Sequence, residues 1–371
     1  MTLNTKSITF FLLLIAKSIE TVTPFTAPSS SLWSSSSSSL SLSSSSSSNG
    51  RSTSDSKNNP LPDINAAVII PGFLTGADDI QPLVDALSAR GIPSIAVPFP
   101  NWHWLPCLGG RSARPILERI DYTVRHLCAS GGDVSKVPKN FEYNFIDCVE
   151  DFMDNPGGVF EVGGSAEVDD YPKNVTPRGK FLRSGRIPSV DEAKGRVAII
   201  GHSAGGWIGR VYLSQRDYGG RVYNGSELVH SIVTLGSPHI GAPGPAFSGV
   251  NWINREKHGL PENVRGLAVA GKGLLGKSSG QFTKNAYEFC LGGDGTSYDG
   301  DGVTPVESSL AMEGANCGKM VLEGTVTHFP WSDVFGGDLF APDLARLHKE
   351  QKIPWYGSQE AVDQWIGWLK V

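Results

Sequence analysis

Five consecutive residues constrain this chain more than any other feature: Gly201-His202-Ser203-Ala204-Gly205, with an apolar run in front and a helical pattern behind. Val197 to Ile200 is apolar throughout, the pattern of a strand buried on both faces of a parallel sheet. Ala204 to Ser214 places Trp207, Ile208 and Val211 at helical spacing. A serine between such a strand and such a helix sits on a sharp turn in a strained backbone conformation. The glycines have a steric reason, since a side chain at Gly201 or Gly205 would collide with the neighbouring strand or helix. The helix start sets the Ala204 N–H at a positive dipole end, where a developing oxyanion is stabilised. A turn of this shape can also be plain structure in an α/β protein, so the rest of the chain decides its meaning.

The flanking pattern is strand, helix, strand, helix. Ala66 to Ile70 reads as a buried strand and Asp79 to Ala89 as a helix, with Ile80, Leu83, Val84 and Leu87 on one face. Ser94 to Val97 is the next strand. Ser112 to Cys128 is a helix with Ile116, Leu117, Ile120 and Val124 on one side and Leu127 at the edge. Leu228–Leu235, Gly266–Ala270 and Met320–Leu322 read as further strands, and Ser358–Lys370 as a closing helix. Its expected buried positions are Ala361, Val362, Ile366, Trp368 and Leu369. This alternation predicts an α/β fold with a mostly parallel sheet and helices on both faces. One domain over residues 61–371 accounts for it. Within that domain, residues 131–190 read as a loop-rich insertion, with Phe145–Met153 as a helix inside it, and residues 239–262 as a cap.

Charge and composition exclude several classes. The 371 residues carry 32 Lys and Arg against 37 Asp and Glu, a net charge of −5. With no basic stripe, a nucleic-acid partner is not expected. The 44 Gly and 24 Pro imply many turns rather than a coiled coil. No 20–50-residue repeat is visible, which excludes solenoids and propellers. Cys107, Cys128, Cys148, Cys290 and Cys317 lack the spacing of a zinc or redox site, although one or two disulfides could form after secretion. There is no His-Glu-x-x-His for a metal and no glycine fingerprint for a dinucleotide, so no cofactor is implied.

The N-terminus reads as an address. Ile8 to Ala16 is an apolar run of signal-peptide length, too short to span a bilayer. From Ser29 to Ser48, 16 of 20 residues are Ser, and up to Ser54 the only acidic residue is Glu20. A serine-rich, acid-poor stretch behind an apolar run, with Phe25-Thr26-Ala27-Pro28 between them, resembles the two-part presequences of plastid-bound proteins. Secretion with a serine-rich linker is the other reading. The sequons at Asn174 and Asn224 matter only on a route through the endoplasmic reticulum.

Taken with its surroundings, the Gly201–Gly205 motif resembles the nucleophile elbow of α/β-hydrolases of the lipase and esterase kind. Ile69-Ile70-Pro71-Gly72-Phe73-Leu74 is similar to the loop after the family's third strand, with Pro71 where many members have His. Thr234-Leu235-Gly236-Ser237-Pro238-His239 resembles the segment after the family's sixth strand. The run from Gly201 to Ala242 is similar in particular to plastid-type α/β-hydrolases of photosynthetic organisms. The resemblance implies the order serine, acid, histidine. Ser203 would be the nucleophile. The acid candidates are Asp294, Asp299, Asp301 and Glu307; Asp301 in Gly300-Asp301-Gly302-Val303-Thr304-Pro305 fits best, with Asp299 second. His328, just past the last strand, would be the base, and His348 would stand on a surface helix. The second oxyanion donor would be the N–H of Phe73, or less readily Leu74, beside that of Ala204. His239 and His202 are expected to be structural.

The implied activity is cleavage of a carboxylic ester through an acyl-enzyme, without a cofactor. Pro98–Leu105, rich in aromatics, and Phe247, Val250, Trp252 and Ile253 could line an acyl pocket or pack under loops. A lipid-like ester is the expected substrate, a plastid acyl lipid if the chain is sent there, with contact to a membrane surface. An acyltransferase or thioesterase on the same triad, or a scaffold that only binds, stays open.

Overall fold

The structure is a computed structural model that describes residues 61–110, 113–139, 146, 186–218, 221–243, 245–255, 259–330 and 341–369. The N-terminal address, Cys148, Asn174 and all of Phe145–Met153 except Ile146 lie outside them, as does most of the 131–190 insertion.

Six strands form one parallel sheet: β1 (Asp63–Ile70), β2 (Ser94–Ala96), β3 (Arg196–His202), β4 (Val229–Leu235), β5 (Arg265–Ala270) and β6 (Cys317–Val321), in the order β2-β1-β3-β4-β5-β6. Between them run α1 (Gln81–Ser88), α2 (Arg114–Ser130), α3 (Ala204–Leu213), α4 (Ser248–Asn254), α5 (Gln281–Leu291) and the single turn α6 (Val306–Ser309). After β6 come α7 (Pro342–Gln351) and α8 (Gln359–Trp365).

The strands are apolar on both faces because both are covered. Val68 and Ile70 of β1 face one core with Ile116, Ile120 and Val124 of α2 and Ile208 and Val211 of α3. Ala67 and Ile69 face the other, with Leu83 and Leu87 of α1 and Val362 and Trp365 of α8. β3 alternates likewise, Val197 and Ile199 to the first core and Ala198 and Ile200 to the second. The two-residue period of a pleated strand thus feeds two cores at once.

Most elements lie where the pattern places them, with ends shifted by up to three residues. Four differ in kind. The aromatic run Pro98–Leu105, read as a loop, enters a 3-10 stretch over residues 101–110. The closing helix is shorter than predicted: after Trp365 it tightens into a 3-10 turn, Ile366–Trp368, and Trp365 is a buried position the pattern omitted. Helices α4 and α5 were not predicted from the sequence.

The strand order sets the site. From β1 the chain steps to β2 on one side, then returns to lay β3 on the other. At that reversal the ends of β1 and β3 open a crevice, the usual ligand position in such sheets. Ile70 stands opposite Gly201 in the register, so the turn after β1 and the turn after β3 emerge side by side.

Candidate active site

Ser203 occupies the turn between β3 and α3 with φ 52° and ψ −127°. For a residue with a side chain this conformation costs on the order of 1–3 kcal/mol. The glycines around it make the turn possible. A Cβ at Gly201 would lie 2.6 Å from the Gly205 carbonyl carbon, and one at Gly205 would lie 2.8 Å from Pro71 O. Gly72 completes the arrangement from β1: a Cβ there would be 2.8 Å from Ser203 Cβ. The backbone of the β1 turn therefore lies against the serine. That turn is closed by Thr75 N–H donating to Gly72 O at 3.1 Å, with Leu74 at φ 59°. Phe73 N–H belongs to this turn, while Ala204 N–H opens α3 and has no acceptor within the helix. The Phe73 ring is 39 % exposed and meets the edge of Trp104 at 5.5 Å.

Two loops on the far side of β3 bring in the acid and the imidazole. Asp301 follows β5 and α5, and His328 follows β6. Both are fully buried, and His328 Nδ1 lies 2.7 Å from Asp301 Oδ2. The carboxylate is held from every side. Val303 N–H and Thr304 N–H donate to Oδ1 at 2.9 and 2.7 Å. Tyr356 Oη donates to Oδ2 at 2.9 Å. The backbones are tied too, His328 N–H donating to Asp301 O at 2.9 Å. With Nδ1 on the carboxylate, Nε2 is the free face of the ring. It is buried and makes no hydrogen bond among the described residues, Ser203 Oγ included.

His202 packs against this pair. Its ring lies 4.9 Å from that of His328, and its Nε2 is 3.0 Å from His328 O. Burial, reinforced by the neighbouring His328, pushes its pKa well below the ordinary histidine value, so it is neutral and donates from Nε2. His239 is also buried, between Thr234 Oγ1 at 3.0 Å and Arg210 Nη1 at 3.2 Å. Burial and Arg210 hold it neutral.

The remaining sequence candidates do not meet His328. Asp299 accepts from Gly273 N–H and Gly300 N–H at 2.7 and 2.8 Å. Asp294 caps a 3-10 turn through Thr296 N–H at 3.0 Å. Glu307 is exposed on α6, and His348 stands on α7. Tyr356 is the residue that sequence reasoning missed. Nothing in Pro354-Trp355-Tyr356-Gly357 marks it, beyond the rule that a buried tyrosine needs a hydrogen-bond partner.

The aromatic segments turn out to be packing more than lining. Phe99 and Trp104 are in the core, Trp104 Nε1 donating to Thr75 O at 3.0 Å. Phe247, Val250, Trp252 and Ile253 are all buried. Trp252 and Ile253 join the core beneath α3, while Phe247 and Val250 pack with Cys290 and Trp207. These four apolar side chains of the segment read as a cap are thus buried against partners within the fold.

Among the described residues no group of three or more His, Cys, Asp or Glu is placed to hold a metal ion. A family profile described as PGAP1-like alpha/beta domain matches residues 187–248. The match runs from before β3 through Ser203 and β4 into α4; Asp301 and His328 lie beyond it. That family is serine-hydrolase-like, and with the parallel sheet it points to a hydrolase-type α/β domain. No curated protein matches the chain.

Proposed function

We propose that this protein is a carboxylic ester hydrolase using Ser203 as nucleophile, His328 as base and Asp301 as orienting acid. One observation carries the reading: a buried acid–imidazole pair 2.7 Å apart, its outer nitrogen without a hydrogen bond among the described residues, packed against His202 next to the strained Ser203. In the free enzyme such a serine–base contact is often loose and tightens with substrate.

His328 Nε2 takes the Ser203 hydroxyl proton as Oγ bonds to the carbonyl carbon. The carbonyl electron pair moves to oxygen and is held by the N–H groups of Phe73 and Ala204; one such donor contributes about 3 kcal/mol to the transition state. Collapse breaks the bond to the leaving oxygen, which takes the proton from His328. Water then repeats the sequence on the acyl-enzyme and regenerates Ser203. Asp301 holds the tautomer with the proton on Nδ1 and stabilises the imidazolium. The exposed Phe73 ring favours an apolar acyl group, in keeping with a lipid-like ester, and the presequence pattern with a plastid one.

The test is turnover of a p-nitrophenyl ester series by the full chain beside Ser203→Ala, with fluorophosphonate labelling of both. Loss of labelling and of nearly all turnover in the variant is expected. Equal turnover by the two proteins would sink the assignment. Labelling without turnover would leave transfer to another acceptor, or a narrower substrate.

A further inference from the structure

The Asp301 carboxylate has one donor more than orientation of an imidazole requires. Tyr356 is fully buried, and its hydroxyl both accepts from Gly271 N–H at 2.6 Å and donates to Asp301 Oδ2 at 2.9 Å. A phenol has a single proton. Because Gly271 N–H can only donate, that proton is directed at Oδ2, the oxygen that also faces His328 Nδ1. Three pieces of backbone enforce the contact. Gly271 sits at the end of β5. Thr327 pairs with Trp355 in an isolated parallel bridge, which sets Tyr356 beside His328. Gly236, at φ 57°, leaves room for the approach, since a Cβ there would be 2.6 Å from Tyr356 Cε2.

We propose that Tyr356 is a positioning residue for the base: by sharing Asp301 Oδ2 it fixes the carboxylate that orients His328 and sets the acid limit of Ser203 reactivity. The inference rests on the reading of Ser203 and His328 given above. A hydrogen bond to Oδ2 draws off negative charge that would otherwise stabilise the imidazolium. The active form has Nε2 deprotonated, so Tyr356 extends activity toward acid. The other titratable groups around the pair do not duplicate this role. His202 is held neutral by burial. Burial keeps the Tyr287 hydroxyl protonated and pushes the Cys290 thiol up to about 12. Tyr287 Oη bonds to Leu274 O and Gly302 N–H, and Asp299 to Gly273 and Gly300, none of them to the pair.

The experiment is the pH profile of Ser203 labelling by a fluorophosphonate in the full chain, wild type against Tyr356→Phe. Tyr223→Phe is the comparator, because it too removes a buried hydroxyl from a carboxylate, that of Glu118. The acid limb of Tyr356→Phe should move up by roughly half a pH unit or more, while Tyr223→Phe overlays wild type. A uniformly slower Tyr356→Phe with an unmoved limb, or an equal shift in Tyr223→Phe, would overturn the proposal and leave the triad standing. Absence of labelling in wild type would instead remove the triad itself. Should Tyr356→Phe not fold, 3-fluorotyrosine at position 356 keeps the shape and strengthens the donor. The limb should then move toward acid, and an unmoved limb counts against the proposal.

Discussion

Two aspartates flank Gly300, and their environments separate their roles. Asp301 is buried and meets His328 Nδ1; Asp299 is partly exposed and its carboxylate is taken by two backbone amides of neighbouring turns. Asp301→Asn keeps the volume but removes the charge that fixes the tautomer. It should lower kcat for a p-nitrophenyl ester by about 10⁴-fold, as in other serine triads. Asp299→Asn should stay within several-fold of wild type, since it loosens a turn rather than the base. Comparable losses in both would reverse the assignment. At this scale the strained turn at Ser203 and the pairing of Asp301 with His328 are legible, because a glycine-flanked serine and a chain order implied by resemblance narrow the choices. Tyr356 is not legible: it reaches Asp301 from 55 residues away, and no local pattern encodes that contact.

At the scale of elements, the junction of β3 and α3 leaves no room for a side chain at its glycines. At Gly206, in the first turn of α3, a Cβ would lie 2.6 Å from Ser237 Cβ and 3.0 Å from Thr234 Cγ2. Alanine there gains about 1 kcal/mol of helix propensity over glycine. Forcing the helix away from β4 costs about 1–3 kcal/mol, and it tilts the element that carries the Ala204 N–H. Gly206→Ala should therefore lower the urea midpoint with an unchanged slope, and slow ester turnover as well. A midpoint at or above wild type would show that the helix moves freely. The six strands and helices α1, α2, α3 and α8 are legible because apolar runs and helical spacing are local signals. Residues 101–110 and α4 are not, because Trp104 and Trp252 are buried by partners distant in sequence.

For the whole molecule, buried histidines set the response to acid. His103, His202 and His239 are each at most 1 % exposed, and burial pushes their pKa values well below the ordinary 6.5. The unfolded chain, with histidines near 6.5, then binds more protons than the folded one. Stability is complete above that value and falls as pH drops below it, by about 1.4 kcal/mol per pH unit for each histidine that stays neutral. Urea midpoints should decline between pH 7.5 and pH 5.5, and a flat profile would mean that these rings are protonated in the fold. Asp121 acts in the opposite sense, since burial raises its pKa despite Arg125 and Arg221. With Glu118 it anchors Arg221 to α2, so the helix carries a buried polar seam beside its apolar one.

By itself the sequence determined the α/β architecture, the elbow at Ser203 and a short set of partners for it, because strand burial, helical spacing and glycine sterics act over a few residues. Tertiary structure decided the rest. The reversal of strand order laid Gly72 against Ser203, and the loops after β5 and β6 seated Asp301 on His328. Close packing buried Phe99, Trp104 and Trp252 in the core, and placed the Tyr356 hydroxyl on the acid. These are contacts between residues far apart in the chain. Their energy depends on distances of a few ångströms that only the assembled sheet and its covering helices define.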